Sequence, residues 1–306
     1  MCTGQVIEVI NPGRWTTIQD RGRPGRERFG IPPGGAADWF AAAVANRLAG
    51  NHPDAALLEC TAAGPSLRFD SDGVVAVTGA LAAGTETWLP RLVTRGSTFA
   101  IGAVGPGLRS YAAVRGGIDV PVVLGSRSFC QRGTFGGGFG RPLAEGDRLT
   151  VGDFVNGDPP QAAWPAGHRL SMLGPWEVRV IAGPHTDAFD RFALKRLTDI
   201  ACRATPALDR MGMRLQTLGL HLRADEILTT PVTAGAVQVT PSGEMIVLLA
   251  DHPTTGGYPV IATVITADLP LLAQVRPGDT IRFREVDLAE ADRARRRLDG
   301  WLEPET

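Results

Sequence analysis

Apolar and polar positions alternate along this chain in short runs broken by glycine, proline and aspartate, the pattern of half-buried strands joined by turns. Residues 4–10 read as a strand that ends in Asn11-Pro12-Gly13. Further strands are predicted over 57–61, 67–69, 74–78, 98–101, 110–114, 148–151 and 176–182, and again after residue 212. Helical spacing is rarer. Asp38 can cap a helix over 39–48 that Gly50 and Asn51 end, because a short polar side chain accepts from the first free amides and glycine tolerates the reversal. Residues 188–197 form a helical patch, and the i, i+4 charges of 288–302 suit an exposed helix. The expected fold class is mainly β with some α.

The stretch 235–268 carries the densest chemistry. Strands over 236–240, 245–250 and 260–266 are separated by a turn at Pro241-Ser242-Gly243 and by a loop over 251–258. That loop holds a carboxylate, an imidazole, two hydroxyls, two glycines and a phenol in Asp251, His252, Thr254, Thr255, Gly256, Gly257 and Tyr258. Two readings stand. Gly256 and Gly257 can take positive φ and turn their amides on an anion, or the loop is a barrel corner whose threonines cap the backbone. Asp251 and His252 are proton-handling candidates, and Gln238 joins Thr254–Tyr258 as a binding candidate.

The two halves echo each other. Residues 64–80 parallel 235–251, 109–119 parallel 258–268, and 145–151 parallel 277–283, in the same order. This predicts two related β-barrel lobes: an N-terminal lobe over 1–157 with an arginine-rich loop, a helix and long insertions, and a C-terminal lobe over 168–306. A linker rich in proline and alanine, 158–167, separates them.

Composition narrows the function. The 306 residues carry a formal charge of −1, which disfavours a nucleic-acid partner, since such binding needs a basic surface. No apolar run approaches the roughly 18 residues of a membrane span and no signal region is evident, so a cytoplasmic location is expected. The cysteines Cys2, Cys60, Cys130 and Cys202 form no C-x-x-C pair, and the histidines His52, His168, His185, His221 and His252 lack metal-ligand spacing, so no metal site is expected. A single lysine, Lys195, lies in Ala-Leu-Lys-Arg; that context fits neither a phosphate-binding loop nor a biotin attachment site. Arg21 and Arg23 among glycines, and Arg127 in a second glycine-rich loop, can present planar forks to an anion or lie solvated. Asp209 with Arg210 reads either as an ion pair or as an acid beside its clamp. No nucleophile elbow or dinucleotide fingerprint is present.

Several motifs occur in order: WTTIQDRGR at 15–23, ANRLAGN at 45–51, LECT at 58–61, RGGID at 115–119, LGSRS at 124–128, DRMGMRL at 209–215 and TTGGYP at 254–259. In these the chain resembles the biotin-dependent carboxyltransferase-like family, whose members are labelled 5-oxoprolinase C subunit, KipA or "allophanate hydrolase subunit 2". The resemblance implies cyclophilin-like lobes. It also implies an ATP-dependent 5-oxoprolinase in which a B-type (KipI-like) subunit joins this chain and an A-type subunit completes the opening of 5-oxoproline, the small-molecule substrate, to glutamate. ATP is then bound together with the partner, and biotin is not attached to this chain. Two other functions are compatible with the resemblance: the carboxyltransferase component of a biotin-dependent urea or amide carboxylase, and a non-catalytic antagonist of a kinase inhibitor. The family often has Ser before DRMG and Gln before TTGGYP, where this chain has Leu208 and Pro253.

Overall fold

In the computed structural model the described residues are 5–153, 161–216, 219–220, 222–223 and 227–303. They divide into two compact units, one holding the chain up to Arg23 with Gly34–Met172, the other Pro24–Pro33 with the chain from Leu173 on. The linker expected at 158–167 lies partly outside the described residues. Its described end sits in the first unit, where the Trp164 amide donates to Trp88 O at 2.7 Å.

The first unit contains β1 (Val6–Asn11), β2 (Trp15–Gln19), α1 (Trp39–Leu48), β3 (Leu57–Thr61), β4 (Ser66–Phe69), β5 (Gly73–Gly79), β6 (Pro90–Val93), β7 (Thr98–Ala100), β8 (Arg109–Val114) and β9 (Arg148–Thr150). They form two sheets, ordered β7-β4-β1-β9 and β2-β3-β8-β5-β6. Successive side chains of a strand point to opposite faces. Ile18, Leu58, Val75, Val77, Ala112 and Val114 of the second sheet therefore share one core with Ile7, Val9, Leu67, Phe69 and Leu149 of the first. The opposite face carries a polar row among apolar positions such as Leu57, Ala76 and Ala113. Register places Thr17, Glu59, Tyr111 and Thr78 in one row, and all four are buried.

Helix α1 covers that row with small residues. Asp38 caps it by accepting from the Ala41 amide, as the sequence predicts, and the Thr78 hydroxyl donates to Ala41 O. The Tyr111 hydroxyl donates to Glu59 Oε2 at 3.0 Å and accepts from the Asp38 amide at 2.7 Å. Glu59 also accepts from the Ala37 amide, so a carboxylate sits at the helix start, where the peptide dipoles favour it. Burial, then the charges of Glu59 and Asp38, push the Tyr111 phenol well above its ordinary range.

Burial likewise pushes the Cys60 thiol up to about 12 and the Cys202 thiol to about 11. Only the thiolate is nucleophilic, so iodoacetamide at pH 8 should alkylate Cys60 in the folded chain at least about 10³-fold more slowly than in denaturant. Comparable rates by peptide mass mapping would contradict the buried placement.

The second unit contains β10 (Trp176–Ala182), α2 (Ala193–Asp199), β11 (Ala201–Leu208), β12 (Gly212–Leu215), β13 (Thr230–Pro231), β14 (Ala236–Val239), β15 (Met245–Leu248), β16 (Thr255–Gly256), β17 (Val260–Val264), α3 (Leu269–Leu272), β18 (Thr280–Glu285) and α4 (Leu288–Leu302). Seven strands close a barrel in the order β10-β17-β14-β15-β12-β11-β18. Val178, Val180, Met213, Val237, Val239, Val247, Ile261, Ile281 and Phe283 belong to its core.

The sequence echo between halves preserves strand order but not pairing. In the second unit β14 and β15 pair directly, whereas β4 and β5 of the first lie in different sheets. Besides the two-residue strands β13 and β16, three strands escape the sequence pattern. β2 has Thr16, Thr17, Ile18 and Gln19 all buried, so it shows no polar–apolar alternation; β6 is an edge strand opened by Pro90; β11 carries Pro206, and its register against β12 slips between Ala204 and Leu208. Proline removes a ladder donor, which is why both segments read as breaks.

Candidate functional site

Alternation on the barrel strands defines the site. With Val237, Val239, Met213 and Val247 in the barrel core, the intervening Gln238, Arg214 and Ile246 project outward as cross-strand neighbours, and Gly212 faces Leu248. A bulge strengthens this. Val237 pairs with Ala262 but Gln238 with Val260, so β17 accommodates one extra residue beside Gln238, and bulges re-aim side chains. Ala236, Leu248 and Val260 form a second apolar cluster against which Val232 and Ile246 pack.

The outward residues of β12, β14 and β15 wall a cavity of about 550 Å³, within the size range of small-molecule sites. Gln238, Arg214, Ile246, Leu248 and Gly212 line it from the strands, Pro206, Ala207, Leu208, Asp209 and Met211 from one side, and Pro253 and Tyr258 from the other. Leu208 and Pro253, which the resemblance singles out as departures, are both in this wall and present apolar surface to it.

Each candidate can now be placed. Gln238 is 4% exposed and its Nε2 donates to Tyr258 O at 3.4 Å. Tyr258 is 42% exposed at the wall. Asp209 lines the cavity, but its Oδ1 accepts from the amides of Met211 and Gly212 at 2.7 and 3.1 Å, so it stabilises its own turn.

Arg210 and Asp251 are spent on each other. The guanidinium donates through Nε and Nη2 to the two carboxylate oxygens at 2.8 and 2.9 Å, and the Asp251 amide donates to Arg210 O. Both are buried. The expectation of Arg210 as an anion clamp and Asp251 as a proton carrier meets a two-pronged buried pair that already engages both carboxylate oxygens and two guanidinium nitrogens. His252 is also buried, with Nδ1 2.7 Å from Pro253 O. A carbonyl only accepts, so Nδ1 carries a proton, and the ring is outside the cavity wall.

The expected anion-binding nest is not formed either. Gly256 and Gly257 are outside the positive-φ glycines. Thr255–Gly256 is extended as β16 and pairs with Thr230–Pro231 of β13, while Thr254 O accepts from the Val232 amide. Gly256 matters for a different reason: a Cβ there would lie 2.5 Å from Gln238 Nε2, so the Gln238 carboxamide would have to move.

Arg21, Arg23 and Arg127 belong to the first unit. Arg21 pairs with Asp54 on the surface. Arg23, 1% exposed, donates to Ser128 O and lies over the Phe135 ring. Arg127 donates to Val120 O and Asp119 Oδ1. Sequence reasoning overlooked the hub that organises them. Asp20 accepts from the hydroxyls of Ser126 and Ser128 and from the amides of Gly22 and Arg127, at 2.6–2.7 Å. The signal was the pair of motifs WTTIQD and LGSRS, which only the fold joins.

The comparisons with known proteins agree with this architecture. The chain is 37% identical to the 5-oxoprolinase C subunit of Escherichia coli (strain K12) and 35% identical to that of Haemophilus influenzae, covering 97% of this chain and 97% of each relative. The solved K. lactis urea amidolyase superposes with a TM-score of 0.90 at 30% identity over 97% of this chain, which spans only 20% of that one. The profile of the family described as "Carboxyltransferase domain, subdomain A and B" matches residues 29–285, and the chain belongs to that family.

Proposed function

We propose that this chain is the C subunit of an ATP-dependent 5-oxoprolinase, acting with B-type and A-type partner subunits to open 5-oxoproline to glutamate. The observation that carries the reading is full-length similarity to two proteins named as 5-oxoprolinase C subunits. The cavity adds chemical support: apolar walls from Leu208, Met211, Ile246 and Leu248 suit a small ring, and Gln238 and Arg214 supply polar contacts for an amide and a carboxylate. Arg214 is half-exposed in its pair with Glu244, and an exposed pair contributes little, so a ligand carboxylate can replace Glu244.

Among the described residues, the glycine run and the single lysine do not make a triphosphate site. Gly136, Gly137 and Gly138 are consecutive positive-φ residues, the backbone shape of a phosphate cradle, yet the Gly137 amide donates to Arg127 O and a Cβ on Gly136 would meet Ser128 O. Lys195 pairs with Asp199 on α2. In this reading the nucleotide is bound together with the partner. The purified chain combined with its A-type and B-type partners should cleave ATP in proportion to 5-oxoproline; a complete set without that dependence overturns the reading.

A second reading, the carboxyltransferase part of a urea or amide carboxylase, draws on the TM-score of 0.90 with urea amidolyase. Calorimetric binding of a biotinyl carrier domain to this chain favours it, and its absence removes it.

A further inference from the structure

We propose that Gln238 is the specificity-determining residue of the cavity and that it reads the N–H and C=O edge of a cis amide, so that the site selects ring amides over open-chain secondary amides. The inference deepens the 5-oxoprolinase reading and rests on it for the substrate class.

Three observations carry it. Gln238 is 4% exposed on the cavity wall, and the bulge in β17 lies directly beside it. Its carboxamide is under-used: Nε2 has one contact at 3.4 Å to Tyr258 O, and no donor among the described residues reaches Oε1. The groups around it cannot substitute. Leu208, Met211, Ile246 and Leu248 are apolar, Asp209 Oδ1 is taken by two amides, and Arg214, which can only donate, cannot pair with an amide N–H. Neither polar atom of the carboxamide is both sealed and unpartnered, so the unused acceptor opens onto the cavity and is available to a ligand donor.

The completing chemistry follows from planarity. A primary carboxamide offers an acceptor and a donor side by side. A lactam is locked cis by its ring and presents N–H and C=O on one edge, so the two close a pair of antiparallel hydrogen bonds. An open-chain secondary amide is trans and presents the same groups on opposite sides, satisfying one at a time. Gly256 completes the device, since a Cβ there would lie 2.5 Å from Gln238 Nε2 and displace the carboxamide.

The test uses the full chain with ¹⁵N-labelled glutamine, the Gln238 side-chain NH₂ signals being assigned by their loss in Gln238→Met. Titration with 2-pyrrolidinone should shift those signals. N-methyl-2-pyrrolidinone, which keeps the ring but lacks N–H, and N-methylacetamide, which is trans, should bind at least about tenfold more weakly, because a site built around a hydrogen bond rejects the analogue lacking it. Gln238→Met and Gly256→Ala, each checked for an unchanged melting transition, should abolish the difference between the two pyrrolidinones. Equal affinity of the two in the natural chain, or no shift at Gln238, overturns the proposal. The parent reading fails separately: ring-amide selectivity with no 5-oxoproline-dependent ATP cleavage removes the oxoprolinase assignment and leaves Gln238 in its role. Cleavage without that selectivity does the reverse.

Discussion

Asp251→Asn should cost about 3–5 kcal/mol of stability and lower the melting temperature of the second unit on the order of 10 °C. The change is nearly isosteric, so the loss comes from charge. Arg210 would keep a buried guanidinium whose carboxylate counter-charge, met at 2.8 and 2.9 Å, has gone. The attraction within such a pair roughly balances the cost of drying both ions, whereas breaking it strands one of them. Arg210→Met combined with Asp251→Leu should accordingly be much less damaging than either single change. A thermal melt with Asp251→Asn within about 1 kcal/mol of the natural chain would show the pair to be solvated. Because the wall of the cavity includes Leu208, Asp209 and Met211 on the same turn as Arg210, a destabilised pair should also weaken ligand binding there.

The second large effect is expected at Asp20. Asp20→Ala removes one acceptor group from four donors, the hydroxyls of Ser126 and Ser128 and the amides of Gly22 and Arg127. Hydrogen bonds to a charged group are worth more than neutral ones, and donors left unpaired keep their desolvation cost. A loss of about 3 kcal/mol follows for the first unit. Asp20 also closes the base of the arginine loop, its carbonyl accepting from the Ala36 amide, while Gly35 packs so close that a Cβ would sit 2.7 Å from the Arg21 carbonyl carbon. Trypsin cleavage after Arg26 and Arg28 should therefore quicken in the variant. Unchanged unfolding together with unchanged cleavage would show that the hub carries no load.

The apparent candidates and the supported ones differ for a single reason. Asp251, Arg210 and Arg127 looked available because their residue types are reactive, yet each has a partner 41, 41 and 8 residues away that uses it. Gln238, a modest residue in a β-branched strand, became the better candidate because its partners are few. Leu208 and Pro253, the departures noted in the sequence, are both in the cavity wall and add apolar surface there.

Local pattern was enough for the mainly β class, for α1 with its Asp38 cap, for β10 at Trp176–Ala182 and for α4 at Leu288–Leu302, because alternation, capping and charge spacing act between near neighbours in the chain. Tertiary structure alone decided the buried strand β2, the proline-bearing strand β11, the cavity outside the barrel, and which charges were already neutralised. Those depend on strand register across separations such as the 106 residues between Asp20 and Ser126. A side chain's chemistry is set by what lies opposite it, and no periodicity within one strand records what the neighbouring strand will place there.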